Sequence, residues 1–285
     1  MRILYNYANK KFRQAQWLNT LTGKYIAHFD KVYEFGPDDV DPQFRNDHKD
    51  IFAYKRGNGC WLWKPYFLCR LLDQCKEGDT IFYCDSGAFF IRNVEPLYDY
   101  LDKEKPIFVT DIPLIESCFT KPLCFDIIGG REYKDMNQIQ SGYYIFKVCD
   151  FTKEFAKKWL DYCCNIDLIT PSGIQDFSQL DTYYANNFVS HREDQSILSL
   201  LCHINGIKAH RDISQKGLTP KFYMNKHFAY KEPEHNDDTY EYFVYLHRYP
   251  TITRLIASRI YLFLHLDKLK KKLNKYRLLP KRHED

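Results

Sequence analysis

Short apolar runs of strand length recur along this chain, and between them the hydrophobic pattern switches to the 3.6-residue period of a helix. MRILYNYA, KVYEF, DTIFYC, KPIFVTDI and QIQSGYYIFKV read as strands, with IKAHRD as a late one. KKFRQAQWLNTLTGKY, CWLWKPYFLCRLLDQC, FTKEFAKKWLDYCCN and HREDQSILSLLCHING read as helices, and FRNDHKDIFAYK as a further helical stretch. Phe151, Phe155, Trp159 and Tyr162 fall on one face of the third helix. Strands that alternate with helices have both sheet faces covered, which predicts an α/β sandwich around a mostly parallel sheet. Residues 1–250 read as one body and residues 251–285 as a basic tail.

Charge excludes one broad class of partner. The tail holds ten Lys or Arg against three Asp or Glu, so of the net +4 it carries +7 and leaves −3 for the body. A nucleic-acid groove needs a distributed basic face, so no nucleic acid is expected on the body. The ten cysteines show no two-residue zinc-knuckle gap and several sit in apolar runs, as reduced thiols of a cytoplasmic protein would. Neither a signal peptide nor a membrane span is legible. In the tail, Ile252, Leu255, Ile256, Ile260, Phe263, Leu266, Leu269 and Leu273 recur at helical spacing, with Arg259, Lys268, Lys271, Lys272 and Lys275 largely elsewhere on the wheel. Such a helix either packs on the body or lies on an anionic membrane surface, which would make the protein peripheral on the inner face of the cytoplasmic membrane.

Five stretches could carry chemistry. In DTIFYCDSGAFF a buried-strand pattern is broken by Asp85-Ser86-Gly87, at the kind of strand end where open α/β sheets place ligands; Asp85 is either a turn former or a ligand for Mg²⁺ or Mn²⁺ on a diphosphate. In AYKRGNGCWLWKPY, Lys55, Arg56 and Lys64 bracket Gly57 and Gly59 ahead of a helix, a pattern suited to phosphate, with Trp61 and Trp63 able to stack on a base or sugar. The plainer reading is a helix cap with core tryptophans. In QIQSGYYIF, Gln138, Gln140 and Gly142 suit hydroxyl recognition, or form an ordinary edge strand. Glu193 and Asp194 of HREDQSIL are acids at a helix start, for its dipole or for catalysis. His247 and Arg248 follow a strand-like run in FVYLHRYP.

Taken in order, RGNGCWLWKPY, IFYCDSGA, QSGYYIF, REDQSIL and the final LHR resemble the GT-A-fold glycosyltransferases encoded in bacterial surface-polysaccharide clusters. The resemblance implies a nucleotide-sugar donor bound by Lys55, Arg56, Trp61, Lys64, Asp85 and Ser86, and a glycan or lipid-linked acceptor near Gln140 and Gly142. It matches Asp85 to the opening acid of the family's Asp-x-Asp metal motif and Glu193-Asp194 to its catalytic acid pair. His247 matches the C-terminal metal-ligand histidine. The second acid of Asp-x-Asp is Gly87 here. This leaves Asp85 and His247 to hold Mn²⁺ or Mg²⁺, or leaves the cations Lys55, Arg56 and Lys64 to neutralise the diphosphate without a metal. Asp194 is the expected base if transfer inverts, and a support for the sugar cation if it retains. A non-catalytic carbohydrate-binding or scaffold protein, and a nucleotide-sugar hydrolase, are the competing classes.

Overall fold

The computed structural model describes residues 1–171, 188–220 and 229–263. Its centre is a seven-stranded sheet built from β1 (Arg2–Tyr7), β2 (Lys31–Phe35), β3 (Thr80–Cys84), β5 (Ile107–Ile115), β6 (Asn137–Ile139), β7 (Tyr143–Lys147) and β8 (Ala209–His210), in the order β2-β1-β3-β7-β5-β6 with β8 on β5. β1 pairs in parallel with β2 and β3, and β5 with β8, while β7 and β6 run against their neighbours. The expected mainly parallel α/β sandwich is therefore what this sequence forms. β4 (Ala88–Phe90) leaves the main sheet and pairs with β9 (Val244–Leu246) as a separate ribbon.

Alternation along the strands sends side chains to two cores. Tyr5, Tyr83 and Tyr144 lie in register across β1, β3 and β7 on the face covered by α2 (Trp63–Gln74), α3 (Asp150–Cys163) and α4 (Asp194–Ile204). Leu4, Phe82 and Ile145 point to the other face, against the β4–β9 ribbon, beside α1 (Arg13–Tyr25). β1 is buried almost end to end, as a strand covered on both faces must be. The aromatic richness of the chain goes into these layers. Phe35 stacks on Phe67 at 4.0 Å and Tyr7 on Trp63 at 3.8 Å.

Three departures from the sequence pattern build the functional edge. QIQSGYYIFKV is not one strand: Gln140-Ser141-Gly142 separates β6 from β7, because β7 pairs with β3 while β6 pairs only with β5. The helix expected from Cys60 begins at Trp63 instead. Before it, Gly57, Asn58, Gly59, Cys60 and Trp61 all have positive φ, a left-handed turn closed by Cys60 N–H to Arg56 C=O and Trp61 N–H to Gly57 C=O. Such a turn costs roughly 1–2 kcal/mol at each non-glycine residue, so the surrounding fold must hold it. The late strand IKAHRD pairs over two residues only. α5 (Ile252–Phe263) opens the tail, and Leu255 is buried, Ile252 N–H donates to Gln14, and Arg259 lies 4.1 Å over the Tyr245 ring. Its first turns thus dock on the body, while the lysine-rich remainder lies outside the described residues. All ten cysteines are unpaired, and no described helix is long and apolar enough to cross a membrane.

Candidate active site at the carboxyl edge of the sheet

β3 delivers Asp85 to the carboxyl edge of the sheet. Its backbone N–H donates to Gly142 C=O at 2.8 Å, so the break between β6 and β7 is tied to the turn after β3. The Tyr83 hydroxyl donates to Asp85 Oδ1, and Lys64 Nζ stands 3.6 Å from the same oxygen. The Asp85 side chain remains 39% exposed, which makes it the carboxylate here that a ligand can touch.

Lys64, in the first turn of α2, is almost wholly buried yet charged groups surround it. Its ammonium donates to the Ser141 carbonyl at 2.9 Å and the Ser141 hydroxyl at 3.1 Å, and lies 3.5 Å from Asp194 Oδ2. The Tyr83 ring is 5.2 Å below it. A buried lysine is tolerated only with such partners. Lys64 is therefore the tie between the two carboxylates.

Asp194 opens α4. Burial raises its carboxyl to about 7, against the pull of Lys64 and a Ser141 hydrogen bond, and its Oδ2 is buried without a hydrogen-bond partner. Trp159 of α3 donates from Nε1 to the Asp194 carbonyl at 3.1 Å, anchoring the helix start. Glu193 precedes it at φ 48°, a strained conformation for a non-glycine residue, and is 1% exposed. Desolvation raises its carboxyl against the stabilising guanidinium of Arg56, which clamps it. Held above the Trp61 ring, Arg56 ties the left-handed turn to α4. The amides of Asn58 to Leu62 all donate within that segment, so the turn offers them to no phosphate.

The remaining predicted residues sort by burial. Ser86 donates to Tyr7 C=O at 2.7 Å and is spent inside the fold. Gln140 is buried and donates to Thr110, with its Oε1 close to Gly142, where an added Cβ would also lie 3.5 Å from Asp85 Oδ2. Lys55 is exposed on the outer side of the turn. The structure brings Lys64, Asp85, Asp194 and Gly142 together, and Arg56 with Glu193, while Lys55 stays at the rim.

A divalent metal finds a poor donor set. Gly87 packs against Arg248: a Cβ there would meet Arg248 Cα at 3.2 Å, and the Gly87 carbonyl accepts from both His247 and Arg248 N–H. Tyr249 N–H donates to His247 Nδ1 at 3.0 Å. Burial, with Arg259 nearby, pulls His247 down to about 4, so at neutral pH the ring is neutral and its proton sits on Nε2. A metal would need that nitrogen's lone pair. Asp85 is already engaged by Tyr83 and Lys64, and among the described residues no group of three or more His, Cys, Asp or Glu is arranged to hold an ion. The residues present do not fit the metal. Gly87→Asp, which rewrites the Asp-x-Asp pattern, is expected to lower stability by about 1–3 kcal/mol through overpacking on Arg248. Its Tm should stay insensitive to added Mn²⁺; a Mn²⁺-dependent rise would show that a site can form.

Cations, by contrast, gather. Burial lowers the Arg192 guanidinium, and the charges of Arg248 and Arg56 lower it further, so three arginines lie within electrostatic reach across this edge. A cluster of like charges raises local anion concentration. Pattern reading overlooked Arg192, which looks like an ordinary helix flank. It also passed over Gln195, whose Nε2 donates to Gln138 at 2.6 Å and whose Oε1 accepts from Ser141 N–H at 3.4 Å. Gln138 continues this chain to Thr120, which with Ser199 donates to the fully buried Glu116. Nothing in local sequence signals such a network, because its members come from five separate segments.

No protein-family model matches the chain, and no curated protein matches it. Among solved structures it is similar to the galactosyltransferase LgtC in complex with donor and acceptor sugar analogues, at 14% identity over 87% of each chain with a TM-score of 0.43. It is also similar to apo mouse xyloside xylosyltransferase 1, at 9% identity over 86% of this chain and 97% of that one, TM-score 0.45. A third likeness is to the apo glycosyltransferase GlyE of Streptococcus pneumoniae TIGR4, at 13% identity over 68% and 46%, TM-score 0.34.

Proposed function

We propose that the chain is a glycosyltransferase that moves a sugar from a nucleoside-diphosphate donor to a hydroxyl of a glycan or lipid-linked acceptor, in the building of a cell-surface polysaccharide. One observation carries the reading: a solvent-facing carboxylate, Asp85, is bound through buried Lys64 to a second carboxylate of raised pKa, beneath a cluster of arginines. Cleaving the bond from the anomeric carbon to the diphosphate leaves negative charge on the departing oxygen and positive character on carbon. Fixed charges of both signs at one sheet edge oppose both developments. Arg56, Arg192 and Arg248 are assigned the diphosphate, in place of a divalent ion. Asp85 meets donor hydroxyls or the acceptor. Asp194, closed off from solvent, acts on the site through its charge and through Lys64, the role that suits retention better than a direct base would.

A thermal-shift screen with UDP-, GDP-, CMP- and dTDP-sugars tests this. A donor at 100 times its Kd stabilises by about 2.7 kcal/mol, so one class should raise Tm by several degrees. Transfer of that sugar should then survive EDTA. A chain deaf to every nucleotide sugar but responsive to polysaccharide would be a binding protein instead, and release of free sugar without an acceptor would mark a hydrolase. The basic tail is proposed to hold the enzyme at an anionic inner membrane surface. Deleting residues 251–285 should abolish pelleting with anionic liposomes.

A further inference from the structure

Two strands along the same edge from Asp85 lies a small cleft that the transfer chemistry does not use. Adjacent strands are about 4.8 Å apart, so it sits about 10 Å away, at the ends of β5 and β8. Asp111, Arg211, Asp212, Lys216, Gly217 and His235 line it, around about 70 Å³ of space. That is room for roughly two waters, or a group of carboxylate size, and too little for a whole sugar ring.

The polar groups of the cleft are only half satisfied. Asp212, 7% exposed, has one oxygen fully engaged: Oδ1 accepts from the Tyr143 hydroxyl and from Ser214 N–H at 2.7 Å. Its Oδ2 is buried with no partner. Arg211 stacks its guanidinium 4.9 Å from the Tyr240 ring, and its Nε and Nη2 are likewise buried and unpaired. Leaving such groups unmatched costs about 1–3 kcal/mol each, a cost that a matching ligand recovers. One needs a hydrogen-bond donor and the other an acceptor, so a single bare ion cannot serve both.

Charge narrows the ligand further. Asp111 and His235 form a pair at 2.6 Å, backed by Asp238 and His210, and neutralise each other. Arg211 and Lys216 then stand against Asp212, leaving about one positive charge; burial and Arg248 pull Lys216 down to about 8, where it remains mostly protonated at pH 7. One excess charge suits a carboxylate better than a phosphate dianion.

We propose that this cleft recognises an acidic sugar, binding its carboxylate at Arg211 in the positive field of Lys216 and accepting an adjacent hydroxyl at Asp212 Oδ2. Its place in the reaction, as the subsite for a uronic-acid-type residue of donor or acceptor, rests on the sugar-transfer reading; the binding itself does not.

Saturation-transfer NMR on the full chain with glucuronate, glucose, glucose 6-phosphate and acetate tests it. Glucuronate is expected to bind at least tenfold more tightly than the other three, and to lose tenfold or more in Asp212→Asn and in Arg211→Met, with Lys216→Met as a milder third variant should either misfold. Equal binding of glucose or acetate, tighter binding of the phosphate, no binding of glucuronate, or variants that bind glucuronate unchanged would each overturn it. Failure of the nucleotide-sugar screen with glucuronate still bound would instead sink only the transferase reading.

Discussion

Asp194→Asn should reduce kcat by about 10²–10³-fold, the scale expected when one preorganised charge is removed from a site where charge develops. Donor affinity should change far less, because Asp85 and the arginines are untouched. The pH profile separates this from simple damage. With its carboxyl raised to about 7, Asp194 is neutral below that pH and charged above it, so wild-type activity should climb through pH 7 and level off. The asparagine variant should lose that limb.

Stability runs the opposite way, and the sign follows from linkage. The carboxyl binds its proton up to about pH 7 in the folded chain but only to about 3.8 when unfolded. Its stabilising contribution is therefore complete below about pH 3.8 and is lost as the pH rises to 7, amounting to roughly 3–4 kcal/mol over that window. Asp194→Asn should flatten this part of the curve. Urea melts at pH 5 and pH 8 would read it, and identical slopes for the two proteins would take Asp194 out of the account altogether.

The second large effect is expected far from solvent. Trp159 is fully buried, packs edge-on against Tyr144 at 5.6 Å, and donates to the Asp194 carbonyl. Trp159→Ala should cost about 3–5 kcal/mol, the range for emptying an aromatic site in a core. Trp159→Phe keeps most of the packing and removes the indole donor. It should cost about 1 kcal/mol while lowering kcat several-fold, since the start of α4 loses an anchor. A phenylalanine variant with full turnover and reduced stability would reduce Trp159 to packing alone.

How much of this was legible beforehand differs between the fold and the site. β1, β3 and α3 were readable because a buried strand must be apolar throughout and an amphipathic helix must repeat every three to four residues. Asp85 and Asp194 stood out because each breaks a local pattern, one at a strand end and the other at a helix start. Arg192 and Gln195 did not, since polar residues at a helix start are common. The left-handed turn at Gly57–Trp61 was equally hidden: two glycines permit such a conformation, but Asn58, Cys60 and Trp61 adopt it only because Arg56 and Glu193 close over it. The phosphate loop expected there gives way to a turn whose amides bond to themselves.

By itself, then, the order of residues determined the layers: which segments are strands, which are helices, and which faces turn inward, because burial periodicity is a local property. Tertiary structure alone decided the chemistry. Lys64 lies between Asp85 and Asp194, 21 and 130 positions along the chain, and whether a carboxylate is charged depends on water exclusion and on neighbours that the fold, not the chain, brings within 4 Å.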